Sequence, residues 1–217
     1  MTYDPDRHNR RSIRLKGYDY AQAGAYFVTI CTQDRECLFG EIAAGEMELS
    51  DAGRMVERWW TKLTKKFPLA EIDEFIVMPN HFHGIVMLVG AAPCGRPGRE
   101  TVLEVPSGGR SQRHDQPGTG HPHGGAPTLG DLVDWFKTMT TNDYIRGVKQ
   151  RGWVSFPGKL WQRNYHEHII RNEDELSRIR EYIVNNPLQW AVDRENPSVE
   201  ARPASTPRRS KDEPWRV

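Results

Sequence analysis

The sequence predicts an α+β fold, a ferredoxin-like βαββαβ sandwich whose antiparallel sheet carries helices on one face. Three observations point there. The runs "AYFVTICT", "EIDEFIVMP" and "HFHGIVMLV" are rich in β-branched and aromatic residues and read as strands. Segments with apolar residues at helical spacing alternate with them. From residue 25 the order is strand, hairpin, helix, strand, strand, helix, strand, helix.

Residues 1–24 are a polar, basic arm that ends at the turn-like Gly24. The first strand covers 25–32. "CLFGEIAAGEMELS" follows as a short hairpin with Ala44-Gly45 near its tip. A helix is expected over 50–67: Ser50 or Asp51 caps it, Met55, Val56, Trp59, Trp60 and Leu63 form its stripe, and Pro68 stops it. Trp59 and Trp60 are adjacent, so they cannot face the same core. Two strands, 71–79 and 81–89, follow as an antiparallel pair across the Pro79-Asn80 turn.

Composition then changes. Between 91 and 127, fourteen of 37 residues are Gly or Pro and few are large and apolar, which predicts a flexible insertion. Its His121-Pro122-His123 triplet offers no regular strand on which a metal site could be pre-ordered. Order resumes in a helix over 128–146, with Leu129, Leu132, Val133, Phe136 and Met139 on one face. "GKLWQRNYHEHIIR" is a loop entering a strand. The last helix covers 172–187: Asn172 caps it, Glu175 completes a capping box, and Pro187 ends it. The plan is therefore a basic arm (1–24), one domain (25–190) with an insertion at 91–127, and a polar, loosely held tail (191–217).

The formal net charge is +1, so no global basic field selects nucleic acid as a partner. The charge is uneven, however. Residues 1–17 hold five Lys/Arg against two Asp, and residues 202–217 hold five against two acids. Cys31, Cys37 and Cys94 make neither a CxxC pair nor an even framework, which fits a reducing cytosol and no thiolate-bound metal. No apolar run reaches about 18 residues, and no leader pattern is present, so neither a membrane span nor export is expected.

The chemistry concentrates in "MPNHFHGIV". In a strand, residues i and i+2 share a face, so His81 and His83 point together while Phe82 points into packing. Two neutral imidazoles on one face can hold a divalent cation. The plainer alternative is that each bonds a backbone carbonyl or lines a solvated edge. Tyr182 and Asn186 lie one turn apart on the last helix, flanking the apolar stripe Leu176, Ile179, Ile183. They offer a nucleophile and a further ligand, or simply an amphipathic core residue and a helix end.

"MPNHFHGIV", followed about 80 residues later by "YHEHIIRNEDELSRIREYIVNNP", resembles the single-tyrosine HUH transposases, and within them the REP-associated tyrosine transposases (RAYTs). The opening "RRSIRLKGYDYAQAGAYFVTICT" is similar to that subgroup too. The resemblance spans about residues 10–190 apart from the insertion. It implies a metal-dependent endonuclease and transposase that cuts and rejoins single-stranded DNA through a 5′-phosphotyrosine, at palindromic repeats extruded as hairpins. His81 and His83 match the HUH pair, Tyr182 matches the nucleophile, and Asn186 matches a polar metal contact that is often Gln. The implied ion is Mg²⁺ or Mn²⁺. His168 falls where relatives carry His, and the candidates to take the phenol proton are the metal, a water, or a neighbour such as His168 or Glu167. Arg10, Arg11, Arg14 and Lys16 are candidates for phosphate contacts, Tyr18 and Tyr20 for base stacking, and Lys137 and Arg163 for further phosphates.

The implied partner is single-stranded or hairpin DNA, the implied location the cytoplasm at the nucleoid, and the assembly a monomer or homodimer. Two other readings remain: a catalytically silent DNA- or RNA-binding module on the same fold, and a metal-dependent hydrolase using water.

Overall fold

The computed structural model describes residues 22–89 and 127–200. Four strands form one sheet: β1 (Gly24–Cys31), β4 (Ala70–Val77), β5 (His81–Leu88) and β6 (His166–Ile170). Their spatial order is β4-β5-β1-β6, and every neighbouring pair is antiparallel. The helix α1 (Asp51–Thr61) links β1 to β4, and α3 (Leu129–Arg151) precedes β6. This is the expected βαββαβ order. The hairpin β2 (Gly40–Ala43) and β3 (Glu46–Leu49) stands apart as a second sheet. Ala44 and Gly45 both have positive φ at its tip, 51° and 83°, the twist that a two-residue hairpin turn requires.

Strand alternation divides the molecule into two cores. Tyr26, Val28 and Ile30 of β1, with Phe82 and Val86 of β5, pack against Met55, Val56 and Trp60 of α1 and Leu132, Val133 and Phe136 of α3. Phe27, Ile85 and Ile170 point the other way, onto Leu176, Ile179 and Ile183 of α4 (Glu173–Gln189). The two crossover helices thus share one face, as expected, and the additional α4 covers the opposite one. Trp60 is buried in the first core, whereas Trp59 sits between helices and donates its indole N–H to Asp143 Oδ2 at 2.8 Å.

Several boundaries differ from the sequence reading. The helix over 50–67 breaks at Lys62 into α1 and a single turn, α2 (Leu63–Lys66). Pro187 does not end α4, which runs on to Gln189 and into a 3₁₀ turn, Trp190–Val192. Only one intrahelical bond is forfeited so close to the end. Ser50, Thr128 and Asn172 all cap as residue type dictates. The box predicted at Asn172 is different: Glu175 Oε2 accepts from Arg171 N at 2.7 Å, one residue further back, while Asn172 Oδ1 accepts from Glu175 N. The start of the expected loose tail is held, since Asn80 Nδ2 donates to Glu195 O at 2.6 Å and Arg35 pairs with Glu195 at 3.1 Å. It closes with one more helical turn, α5 (Pro197–Glu200). Among the described residues no helix is long and apolar enough to cross a membrane.

Candidate active site

β5 carries His81 and His83 on the face towards α4, with the intervening Phe82 buried against Trp60 and Phe136 on the other. Both imidazoles are withdrawn from water, at 0% and 3% exposure. Burial disfavours the charged ring, so His81 is pushed down to about 4 and His83 well below the ordinary imidazole value. Both rings are therefore neutral at pH 7, the state in which a ring nitrogen can ligate. Their Nε2 atoms face each other at 3.1 Å. Behind them, His81 Nδ1 meets Asn80 Oδ1 at 2.9 Å, and His83 Nδ1 shares a 2.9 Å hydrogen bond with Thr29 Oγ1.

α4 delivers the phenol. Tyr182 lies edge-on to His83, with ring centroids 5.4 Å apart, and edge-on to Phe27 at 6.1 Å. Phe27 in turn stacks on His83 at 5.3 Å. One turn later Asn186, buried at 1% exposure, sets its amide against His81. Its Oδ1 has no hydrogen-bond partner among the described residues. The four residues predicted from separate segments, His81, His83, Tyr182 and Asn186, thus meet in one place.

What fixes α4 there is partly a bulge. The register of β4 against β5 slips between Ile72 and Phe75. Asp73, in that slip, accepts from Arg180 of α4 at 2.8 and 2.5 Å. A bulge re-aims a side chain, and here it ties α4 to the sheet two residues before Tyr182.

Other predicted residues are placed differently. His168 lies on the α4 face but is bonded through Nε2 to Glu175 Oε1 at 2.8 Å, joining β6 to the start of α4. Glu167 pairs in register with Val28, so its side chain points to the α1/α3 face, away from the imidazoles. This overturns Glu167 as a neighbour of the site. Lys137 is spent on the backbone: its ammonium donates to Gln162 O at 2.6 Å and Arg163 O at 3.0 Å, and burial lowers its proton affinity. It braces the loop that presents the exposed Arg163. Between the Cys31–Gln162 hydrogen bond and the Thr29–His166 pair, β1 spans two residues and the β6 side four. Arg163 and Asn164 therefore bulge outward at the sheet edge. Arg10, Arg11, Arg14, Lys16, Tyr18, Tyr20 and the His121–His123 triplet lie outside the described residues.

Sequence reasoning missed Asn80, Thr29, His166 and Trp190. His166 pairs with Thr29, which pairs with His83, so all three share the α4 face in one row across three strands. Trp190 sets its ring 6.0 Å from His81. Asn80 adjoins His81 and was legible as a neighbour. Thr29 and His166 become visible only once strand register is known.

No protein-family model matches the chain. An uncharacterized protein of Haemophilus influenzae is 38% identical over 196 residues, which cover 88% of this chain and 95% of the relative. Among solved structures, the chain is similar to the REP-associated tyrosine transposase bound to a REP hairpin, at 19% identity and TM-score 0.48, over 82% of this chain and 74% of that one. A candidate transposase from Deinococcus radiodurans gives 16% identity and TM-score 0.39, over 80% of this chain and 97% of that one.

Proposed function

The chain belongs to one family with the uncharacterized Haemophilus influenzae protein, and we propose that its members are HUH-type, REP-associated tyrosine transposase-like enzymes that cut and rejoin single-stranded DNA. The observation that carries the reading is the Tyr182 ring set edge-on to His83, 5.4 Å between centroids, beside a second imidazole. The "MPNHFHGIV" and "YHEHIIRNEDELSRIREYIVNNP" blocks that resemble the family supply these same residues.

The donor set suits a divalent cation. Two nitrogens bound at right angles to one ion, each about 2.1 Å away, stand about 3.0 Å apart. The Nε2 atoms here are 3.1 Å apart, and both rings are neutral. The buried, unpartnered Oδ1 of Asn186 is a third donor beside them. Among the described residues no three His, Cys, Asp or Glu gather into a metal cage. Two imidazoles and an amide oxygen leave positions open for phosphate and water, as Mg²⁺ or Mn²⁺ prefers. When bound, the cation offsets negative charge developing on the scissile phosphate.

The chain's own residues do the rest. Tyr182 Oη attacks phosphorus, the bond to the 3′ oxygen breaks, and the phenol proton leaves as the 3′ hydroxyl gains one. The 5′-phosphotyrosine conserves the phosphoester for rejoining. Phe27 and His83 each meet the Tyr182 ring in a T-shaped contact and limit its swing, which favours a nucleophile held for attack. The exposed Arg163 is a candidate for a backbone phosphate contact, as are Arg10, Arg11, Arg14 and Lys16, which lie outside the described residues. A hairpin with a short single-stranded flank is the substrate that the resemblance implies.

The test uses labelled single-stranded hairpin DNA with Mn²⁺. The enzyme forms a denaturation-resistant protein–DNA adduct, and Tyr182→Phe abolishes it while still shifting DNA in a gel. A gel shift with no adduct from the unaltered chain identifies a binding module instead. Cleavage that survives Tyr182→Phe identifies a hydrolase.

A further inference from the structure

We propose that Asn80 and Thr29 are positioning residues that set the tautomers of the two imidazoles, Asn80 by a fixed acceptor and Thr29 by a reversible hydroxyl, so that both Nε2 lone pairs can converge on one cation. The inference rests on the metal site proposed above and extends it to residues outside the ligand set.

Asn80 is fully buried, and both ends of its side-chain amide and its own carbonyl are hydrogen-bonded. Its Nδ2 donates to Arg35 O at 3.0 Å and Glu195 O at 2.6 Å. Its own carbonyl accepts from Thr32 N at 2.8 Å and Thr32 Oγ1 at 3.0 Å. Two carbonyls facing one end of the amide leave no choice of orientation, because that end must be the NH₂. The other end, facing His81 Nδ1 at 2.9 Å, is therefore oxygen, a pure acceptor. His81 must carry its proton on Nδ1, and its Nε2 is a bare lone pair aimed at His83.

Thr29 differs because a hydroxyl both donates and accepts. Without a cation, His83 Nε2–H donates across the 3.1 Å gap to His81 Nε2, and Thr29 donates to His83 Nδ1. For both Nε2 atoms to ligate, the His83 proton must sit on Nδ1. Thr29 then turns its hydroxyl and accepts it, with no heavy atom moving. Both arrangements keep every buried polar group of the pair satisfied. A valine at position 29 has the same shape but would remove the oxygen that His83 Nδ1 faces at 2.9 Å.

Partners of this kind typically change metal affinity about 10–100-fold when removed. The experiment titrates the full chain with Mn²⁺ alone, reading free Mn²⁺ by electron paramagnetic resonance, with the double variant His81→Ala/His83→Ala to identify the site. Asn80→Ala and Thr29→Val should each weaken Mn²⁺ binding about 10–100-fold. Thr29→Ser, which keeps the hydroxyl, should retain the affinity. Imidazole ¹⁵N correlation spectra of the metal-free chain should show His81 as the Nδ1–H tautomer and His83 as Nε2–H, and Mg²⁺ should convert His83 to Nδ1–H.

A folded Asn80→Ala and a folded Thr29→Val that both bind Mn²⁺ like the unaltered chain would overturn the proposal, as would His81 protonated on Nε2. If Asn80→Ala loses its fold, the comparison of Thr29→Val with Thr29→Ser decides. If the unaltered chain takes no Mn²⁺ at the histidines, the metal reading falls and this inference with it. Binding by the unaltered chain that the Asn80 and Thr29 variants leave intact sinks the positioning roles alone.

Discussion

At Asn186 the site sets function against stability. A buried carbonyl oxygen without a partner costs about 1–3 kcal/mol, and Asn186 Oδ1 is such an atom among the described residues. Its neighbours on the stripe, Ile179 and Ile183, are apolar and fully packed. Leucine there removes the orphaned oxygen and keeps the branching of the side chain. Asn186→Leu should therefore melt at a higher temperature while binding Mn²⁺ more weakly and forming less adduct, as calorimetry and the two assays would show. A lower melting temperature with unchanged Mn²⁺ affinity would mean that the amide is purely structural. At this scale the sequence was legible where spacing alone sets direction. The i, i+2 rule put His81 and His83 on one face, and the i, i+4 rule aligned Tyr182 with Asn186. Thr29 and His166 were opaque because they reach the site through strand pairing, which is non-local. Glu167 misled because its neighbours in sequence face the site and it does not.

The helix α4 must be docked as well as formed, and Asp73 shows how this depends on pH. The hydrogen bonds from Arg180 hold the Asp73 carboxyl below the usual carboxylate range. A folded-state value depressed in this way contributes stability above the unfolded value, and that contribution fades as pH falls through the folded one. Asp73→Asn should thus be less stable than the unaltered chain at pH 7, and the gap should close below about pH 4. Arg180 is 38% exposed, so solvent screening limits the effect to about 0.2–1 kcal/mol, and added salt should shrink it. Denaturant melts at pH 7 and at pH 3 measure both. Adduct yield should fall with α4 docking, since Tyr182 rides on the same helix.

β5 makes a different demand. A Cβ on Gly84 would meet Phe82 ring carbons at 2.7 and 2.8 Å and Trp60 at 2.8 Å. Both rings are buried and cannot retreat. Gly84→Ala should cost about 1–3 kcal/mol, seen as a lower denaturation midpoint with unchanged slope. Element identity was largely readable from caps and stripes. Pro187 was read as a stop because its missing N–H is local knowledge, whereas the continuing 3₁₀ turn is set by contacts of the chain beyond it.

For the molecule as a whole, the order of elements pointed to the βαββαβ chain, and the structure arranges its strands as β4-β5-β1-β6. The face that α4 would choose was not specified. Its stripe of Leu176, Ile179 and Ile183 fits any apolar surface, and the deciding partners, Phe27, Ile85 and Ile170, are those that the first two helices leave uncovered. That choice of face has a consequence for assembly. Tyr182 meets His83 within a single chain, over the sheet that its own β5 helps to form. The connection from β6 to α4 is short, and the His168–Glu175 pair joins the strand to the helix, so exchanging the helix with a second copy would break that bond. On the proposed function, one chain brings together His81, His83, Tyr182 and Asn186. A mixture of Tyr182→Phe with His81→Ala/His83→Ala supplies both halves of the machinery on separate chains. If Tyr182 works only with the imidazoles of its own chain, the mixture forms no adduct at any protein concentration. Adduct that appears in the mixture and grows with the square of total protein would show that the helix is delivered by a partner instead.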